Sequence, residues 1–340
     1  MKYRLWGLVD LESRMGLDSS APHFEVDKVK GGKTFGKRAG YGGALLKTAI
    51  VLVLIVFATV ASFADTTSDS AGGAAAFLKI GVSARGVGMG GIGVADFSGA
   101  DSVYWNPANI AYQEPKQDMI STSCNMPLDR SYKFFGFSTR VGKLAYAIGW
   151  GRFEVDDILR TDNNGNILGT FDDKEDAIWL SAGYRFRSDV AFGVSLKFLN
   201  QDVYTYSADG VGVDLGIAYK PTDRLSLGLS VSNIGAELDW DDKSENDDVP
   251  VYVRFGLVYD KAEYGLKFGL EVLKIEDEDA EVLAGVEKSF KDRFSIRLGK
   301  NQNGVTAGAR IKINDQLKLD YAYAEDGLGN LHRVSVGWSW

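Results

Sequence analysis

Arg333-Val334-Ser335-Val336-Gly337-Trp338-Ser339-Trp340 closes the chain, and its alternation sets how the rest is read. Side chains in a strand point to opposite faces at period two. Val334, Val336, Trp338 and Trp340 therefore share one face, and Arg333, Ser335, Gly337 and Ser339 the other. An apolar face ending on an aromatic residue, opposite a small and polar face, predicts the last wall strand of an outer-membrane β-barrel, with lipid outside and a polar lumen inside. A soluble edge strand could carry the same pattern, so the preceding chain must decide.

Beyond residue 116 helical periodicity nearly disappears, and alternating segments of about nine to eleven residues recur, the length that a tilted transmembrane strand needs. Fourteen are counted: 117–124, 131–140, 142–152, 176–187, 189–200, 210–220, 223–233, 250–260, 263–273, 280–290, 292–300, 303–313, 315–324 and 331–340. The number is even, as a single-chain bacterial barrel requires. Every second connection is short, at Val141, Ser188, 221–222, 261–262, Lys291 and Asn314, whereas 153–175, 234–249, 274–279 and 325–330 are longer. Short periplasmic turns alternating with longer external loops are the asymmetry expected of such barrels.

Faces follow from the same period. Phe192, Val194, Leu196 and Phe198 oppose Gly193, Ser195 and Lys197; Tyr264, Leu266, Phe268 and Leu270 oppose Gly265, Lys267, Gly269 and Glu271; Leu225, Leu227, Leu229 and Val231 oppose Ser226, Gly228, Ser230 and Ser232. The polar side gathers Arg185, Asp214, Arg254, Lys267, Glu271, Glu287, Arg297, Arg310, Lys318, Asp320 and Arg333. On a soluble sandwich these would face solvent. In a barrel, charges of both signs pair across strands and leave the lumen wet or plugged.

Composition agrees. The chain has 340 residues with 40 Gly, 18 Phe, 15 Tyr and 7 Trp beside 6 Pro and 2 His, which suits curved sheets with aromatic girdles. The formal charge is -8, which excludes nucleic acid as a partner class. Cys124 is the lone cysteine, so neither an intramolecular disulfide nor a thiolate metal cluster can form. Thr48 to Phe63 is the one long apolar run; it follows Lys47 and ends in small residues, as in a secretory signal cleaved before Asp65. At 16 residues it is short for a spanning helix, which needs about 20. The expected division is leader 1–64, hatch or plug 65–116 and barrel 117–340.

The 65–116 segment is rich in Gly and Ala and lacks strand alternation, and a closed wall should place it inside the lumen or under it as a plug. It carries Ala84-Arg85-Gly86-Val87-Gly88-Met89-Gly90-Gly91-Ile92-Gly93-Val94-Ala95 and then Tyr104-Trp105-Asn106-Pro107-Ala108-Asn109. Its glycines permit positive φ and close backbone approach. Pro107 biases Asn106 toward an extended conformation and the Asn106 amide can bond nearby backbone, which makes a rigid turn with or without a ligand. Gly86, Gly88 and Gly91 also fit G-x-G-x-x-G, but the βαβ context that a dinucleotide site needs is missing.

This pair of motifs resembles the amino-terminal signature of the PorV/PorQ family, relatives of FadL-type transporters, in which an RGxGMGGxGVA stretch precedes a YWNPA box. The resemblance covers residues 80 to 110, the strand count and the barrel end. It implies an all-β, fourteen-stranded antiparallel transmembrane outer-membrane barrel with an amino-terminal hatch, and it marks Arg85, Gly86, Gly88, Met89, Gly90, Gly91, Gly93, Trp105, Asn106, Pro107 and Ala108 as the hatch motif.

Other sites weigh less. His332 points outward with Val334, beside Leu319, Tyr321 and Tyr323 on the neighbouring strand, with no serine positioned for nucleophilic catalysis. The acidic clusters Asp239, Asp241, Asp242, Glu245, Asp247, Asp248 and Glu276-Asp277-Glu278-Asp279 match no calcium-loop template and read as solvated loops. Asp162-Asn163-Asn164-Gly165-Asn166 reads as a turn. No cofactor, metal or catalytic residue is assigned, and no ligand-binding residue can be named. The expectation is a non-enzymatic barrel among outer-membrane lipids that passes hydrophobic small molecules. Its alternative is an accessory or shuttle barrel that meets the proteins of a type IX-like secretion system, and an outer-membrane hydrolase ranks third.

Overall fold

The structure, a computed structural model, describes residues 74–97, 99–241 and 246–340. The expected leader and the first part of the expected hatch lie outside these described residues. Among the described residues sixteen strands form one sheet, of which two short ones (237–240 and 247–248) sit in a connection and fourteen build the wall. In chain order the wall strands are β1 (Gln117–Met126), β2 (Arg130–Val141), β3 (Leu144–Thr161), β4 (Ile167–Arg185), β5 (Val190–Val203), β6 (Tyr206–Thr222) and β7 (Leu225–Ile234). They continue as β8 (Tyr252–Lys261), β9 (Leu266–Ile275), β10 (Glu281–Phe290), β11 (Phe294–Asn301), β12 (Gly304–Lys312), β13 (Leu317–Asp326) and β14 (Gly329–Ser339). Each pairs antiparallel with its chain neighbours, and β1 meets β14 from Asp118↔Ser339 to Asn125↔His332, so the sheet closes. A closed ring leaves no edge, the condition for placing backbone polar groups in hydrocarbon. This is the architecture of an outer-membrane barrel.

The predicted faces hold. Phe192, Val194, Leu196 and Phe198 are exposed on the exterior while Ser195 and Lys197 are buried. Tyr146, Tyr184, Phe192, Tyr259, Tyr264, Phe290, Phe294, Trp338 and Trp340 stand exposed toward the end that carries both barrel termini, as an interfacial girdle should. Both barrel termini meet at that end, with Gln117 N–H donating to the Trp340 carbonyl at 3.0 Å, and the longest connection and the outer strand extensions lie at the opposite end, which makes the first the periplasmic one. At the other end, exterior ion pairs Lys133–Glu154 (2.8 Å) and Arg152–Asp176 (2.7 Å) mark where the apolar belt stops.

Two expectations need correction. The long loop predicted over 153–175 is mostly strand: β3 runs to Thr161 and β4 starts at Ile167, with a register shift between Val155 and Ile158. Cross-strand ion pairs and hydrogen bonds replace the apolar alternation there, so the period-two signal ends before the sheet does. The predicted asymmetry of loop lengths is also weaker than expected, because the external connections at 204–205, 302–303 and 327–328 are tight turns. The asymmetry lies in the outer extensions of β3 to β6 and in the connection 235–251.

Candidate functional site

The residues before β1 fill the lumen. A 3-10 turn (Ala76–Lys79) lies at the outer mouth, where Lys79 pairs with Glu278 of an external turn. The chain then descends through α1 (Ala84–Gly88), α2 (Ser102–Trp105) and a second 3-10 turn (Pro107–Tyr112). It leaves at the periplasmic end, where Arg185 donates to the Ala111 carbonyl (2.6 Å) and Arg140 to that of Gln113 (2.9 Å).

Local chemistry explains the motif. Ser83, in an extended conformation, caps α1 by accepting from Gly86 N–H at 3.3 Å. Gly90 (φ +84°) and Gly91 (φ +90°) end it, the Gly91 N–H donating to the Gly86 carbonyl (2.9 Å) and the Gly90 N–H to that of Val87 (3.0 Å). This paired closure needs left-handed backbone and so favours glycine. Gly86 and Gly93 do something else. Cβ atoms there would stand 2.6 and 2.2 Å from the Trp105 ring, so the indole lies flat on glycine backbone. Asn106 is extended (φ −167°, ψ 109°); its Oδ1 accepts from Ala108 N–H at 3.0 Å, and its Nδ2 donates to the Val94 (2.9 Å) and Ile217 (3.0 Å) carbonyls. The predicted turn is therefore also a tie between hatch and wall.

The wall meets the segment with glycine. At inward positions, Cβ atoms would come within 2.2 Å of Ala108 N at Gly193, 2.0 Å of Asn106 Oδ1 at Gly216, 2.0 Å of Val94 O at Gly228, 2.4 Å of Met89 O at Gly285 and 2.2 Å of Gly90 N at Gly299. Several are cross-strand partners, including Gly183↔Gly193, Gly193↔Gly216, Gly228↔Gly256 and Gly285↔Gly299. They form a belt on which the hatch backbone rests. Among the predicted motif residues, Gly88 sits on this belt as well, its Cα 3.2 Å from a Cβ placed at Gly308.

Charges complete the seat. Glu271 accepts from the Gly93 and Val94 N–H groups at 2.9 and 3.0 Å and from Arg254 at 2.8 Å. Arg85 pairs with Asp96 (2.8 Å), which Lys267 also approaches at 3.3 Å. Burial pushes the Asp96 carboxyl up, but Arg85 and Lys267 outweigh it and hold the group below the ordinary carboxylate range. Asp118 accepts from Ala100 N–H at 2.9 Å, and Arg333 donates to the Gly81 carbonyl at 2.6 Å. Beside α1, Arg297 binds Glu287 (2.5 Å) and Asp320 (2.6 Å), and Arg310 shares Asp320 at 2.9 Å. These lumenal charges pair with one another and with the backbone of the segment before β1.

The segment before β1 has a cavity on either side. On its outer side is a cavity of about 220 Å³ whose lining combines Val87, Trp105, Leu273, Ile275, Leu283 and Leu331 with charged and amide residues, Arg254 and Glu281 among them. On its periplasmic side is one of about 250 Å³ lined by Arg85, Asp96, Lys220, Asp260, Lys267 and Lys318. Arg85 and Val87, two residues apart and so on opposite sides of α1, line the periplasmic and the outer cavity respectively. Sequence reasoning did not find Glu271, Asp96, Asp118 or Arg333 as anchors, nor the glycine belt; the recurrence of inward glycine along successive strands was the available signal.

The remaining candidates are ordinary. His332 is exposed on the exterior and its Nδ1 shares a 2.8 Å hydrogen bond with the Tyr321 hydroxyl. Asp162 accepts from the N–H groups of Asn164 and Asn166, each at 2.8 Å, which makes 162–166 the expected turn. Among the described residues no group of three or more His, Cys, Asp or Glu side chains is placed to hold a metal. Asp242 and Glu245 lie outside the described residues.

Solved structures share this architecture. The toluene transporter TodX of Pseudomonas putida is 13% identical with a TM-score of 0.57, covering 76% of this chain and 99% of that one. The monoaromatic hydrocarbon channel CymD is 14% identical with a TM-score of 0.57, covering 77% and 98%. A FadL homologue of Pseudomonas aeruginosa is 12% identical with a TM-score of 0.54, covering 76% and 98%. At such identities the likeness is one of fold. Residues 161–336 match a family described as "Family of unknown function (DUF5723)". Comparison with curated proteins finds no match.

Proposed function

The chain belongs to the family of unknown function DUF5723, and we propose that this member is a passive outer-membrane passage for hydrophobic small molecules, with 65–116 as its hatch and 117–340 as its wall. The observation that carries the reading is the outer cavity: a chamber of about 220 Å³ floored by the hatch motif, in which Val87, Trp105, Leu273, Ile275, Leu283 and Leu331 form an apolar part beside a polar rim. Apolar solutes partition into such a space because it removes their surface from water. The fold shared with monoaromatic hydrocarbon channels supports the same class of cargo. The hatch motif acts as the partition that a solute must pass, and no residue of the chain is assigned a catalytic role.

Deleting the gene tests this. Uptake of a labelled alkane, monoaromatic or fatty acid should fall in the deletion strain and return on complementation; unchanged uptake across the whole panel removes the reading.

A second reading has its own observation. The hatch is tied to the wall at Glu271, Asn106, Asp118, Arg185 and Arg333, and a sealed barrel suits a scaffold better than a conduit. On the PorV/PorQ likeness of its motif, the chain would then be an accessory or shuttle barrel of a type IX-like secretion system. Pull-downs from cross-linked membranes would recover secretion components or cargo, whereas a barrel recovered alone counts against that role.

A further inference from the structure

Two lysines interrupt the apolar exterior at the periplasmic ends of β8 and β10. Strand register puts Lys261 opposite Leu266 and Leu266 opposite Lys288, so the three form one row across the outer face of β8, β9 and β10. The next row toward the membrane centre is Tyr259, Phe268 and Val286, and the rim on the periplasmic side carries Tyr264, Phe290 and Phe294. The lysines therefore stand inside the aromatic girdle, on a face that touches lipid. Elsewhere the exterior of this rim is apolar or aromatic, as at Leu144, Tyr184, Phe192 and Trp338. Both ammonium groups gather at Tyr264: Lys261 Nζ lies 4.4 Å from the centre of its ring, and Lys288 Nζ donates to its carbonyl at 2.6 Å while standing 5.6 Å from the centre of the Phe290 ring. Stems on the apolar surface with charged ends at headgroup level are how lysine settles at a membrane interface. Of the acids beside Lys261 in the chain, Glu263 pairs with Arg224 at 3.2 Å, and Asp260, on the inner face, with Lys267 at 3.6 Å. Among the described residues neither Lys261 nor Lys288 is in an ion pair, and the turn after β10 adds Lys291 and Arg293 against one acid, Asp292.

We infer that Lys261 and Lys288, with Tyr264 between them, form a binding site for the phosphate of an anionic phospholipid in the periplasmic leaflet, whose acyl chains run along Phe268 and Leu270. The two lysines stand on strands either side of β9, so their Cβ atoms are roughly 9–10 Å apart, twice the spacing of neighbouring strands. Their flexible stems close that gap around a phosphodiester, and Leu266 beneath gives the glycerol and the first methylenes an apolar floor. Lys288 now spends its charge on a neutral carbonyl. A phosphate oxygen is the stronger acceptor, because a hydrogen bond between two ionised groups outweighs one to a neutral group. A zwitterionic headgroup brings its own cation to this corner and meets Lys291 and Arg293 as well, whereas an anionic headgroup brings none, so the site selects by net headgroup charge. The site is independent of what the lumen passes.

The test is native mass spectrometry of the full protein released from micelles holding equal amounts of phosphatidylglycerol and phosphatidylcholine with matched chains. Retained phosphatidylglycerol should exceed phosphatidylcholine by at least about fivefold, the effect of one lysine near an anionic headgroup. Lys261→Gln with Lys288→Gln should bring the ratio close to one, and Lys261→Arg with Lys288→Arg should keep it. Lys133→Gln with Lys300→Gln removes the same charge from the exterior at the outer end and should leave the ratio unchanged. Each variant is checked for the heat-modifiable gel mobility of a folded barrel; should the double glutamine variant fail that check, the single variants are read instead, and each should at least halve the ratio. Equal retention of the two lipids by the unaltered protein, an unchanged ratio after the glutamine substitutions, or an equal loss in the outer-end control overturns the site.

Discussion

The Glu271 carboxylate, on the inner face of β9, accepts the backbone N–H of Gly93 at 2.9 Å, and that bond joins the hatch motif to the barrel wall. The same carboxylate holds Arg254, which lies over the Trp105 ring at 5.3 Å. One wall residue therefore fixes the hatch backbone and, through Arg254, the indole at its centre.

Glu271→Ala should be costly in two ways. It strips an acceptor from two hatch N–H groups and leaves Arg254 buried without its partner, a loss of roughly 3–5 kcal/mol for breaking a buried pair. The temperature at which the folded barrel loses its compact gel mobility should drop. Entry of nitrocefin into cells, followed by periplasmic hydrolysis, should rise. Unchanged values for both would mean that this anchor is dispensable.

The glycine belt predicts position-specific sensitivity. Gly228→Ala drives a methyl group to 2.0 Å from the Val94 carbonyl oxygen, so the hatch must shift. Overpacking of this kind costs about 1–3 kcal/mol, and higher permeability should accompany it. Gly327→Ala, with nothing within 4 Å of the new methyl, serves as the control and should match the unaltered protein in both respects.

The Asp96 carboxyl has a folded pKa below its ordinary value, through Arg85 and Lys267. A depressed acid adds stability above its unfolded pKa, about 3.9, and loses it only as pH falls through the lower folded value. The stability difference between the unaltered protein and Asp96→Asn should thus stay constant from neutral pH to about 4 and shrink below it. A difference that vanishes already near pH 6 would show that Asp96 does not carry this lock.

Trp105 lines the outer cavity and packs on Gly86 and Gly93 of the hatch motif. Trp105→Ala should cost about 3–5 kcal/mol and deepen the outer chamber toward the periplasmic one, since the indole fills the space over Gly86 and Gly93. Greater permeability to small uncharged solutes, measured by liposome swelling, is the outcome to look for.

Much of this architecture is legible in the residues. The strand number follows from period two, because lipid on one side forces alternation wherever a strand crosses the membrane. His332 could be placed outside from Val334 alone. The outer ends of β3 to β6 could not be read that way: above the belt, water bathes both faces and Lys133, Glu154, Arg152 and Asp176 hold the strands without an apolar stripe. The hatch motif was visible, but its glycines have distinct tasks that a count cannot separate. Gly90 and Gly91 turn the chain, while Gly86 and Gly93 make room for Trp105. The anchoring role of Glu271 stayed hidden because its partners are backbone groups 177 and 178 residues away.

Single-protein conductance in planar bilayers tests the partitioned lumen most directly. The intact protein should be nearly ion-tight, and a variant lacking residues 75–113 should carry a steady, porin-sized ohmic current. A steady current of that size through the intact protein would contradict a hatch seated on the glycine belt.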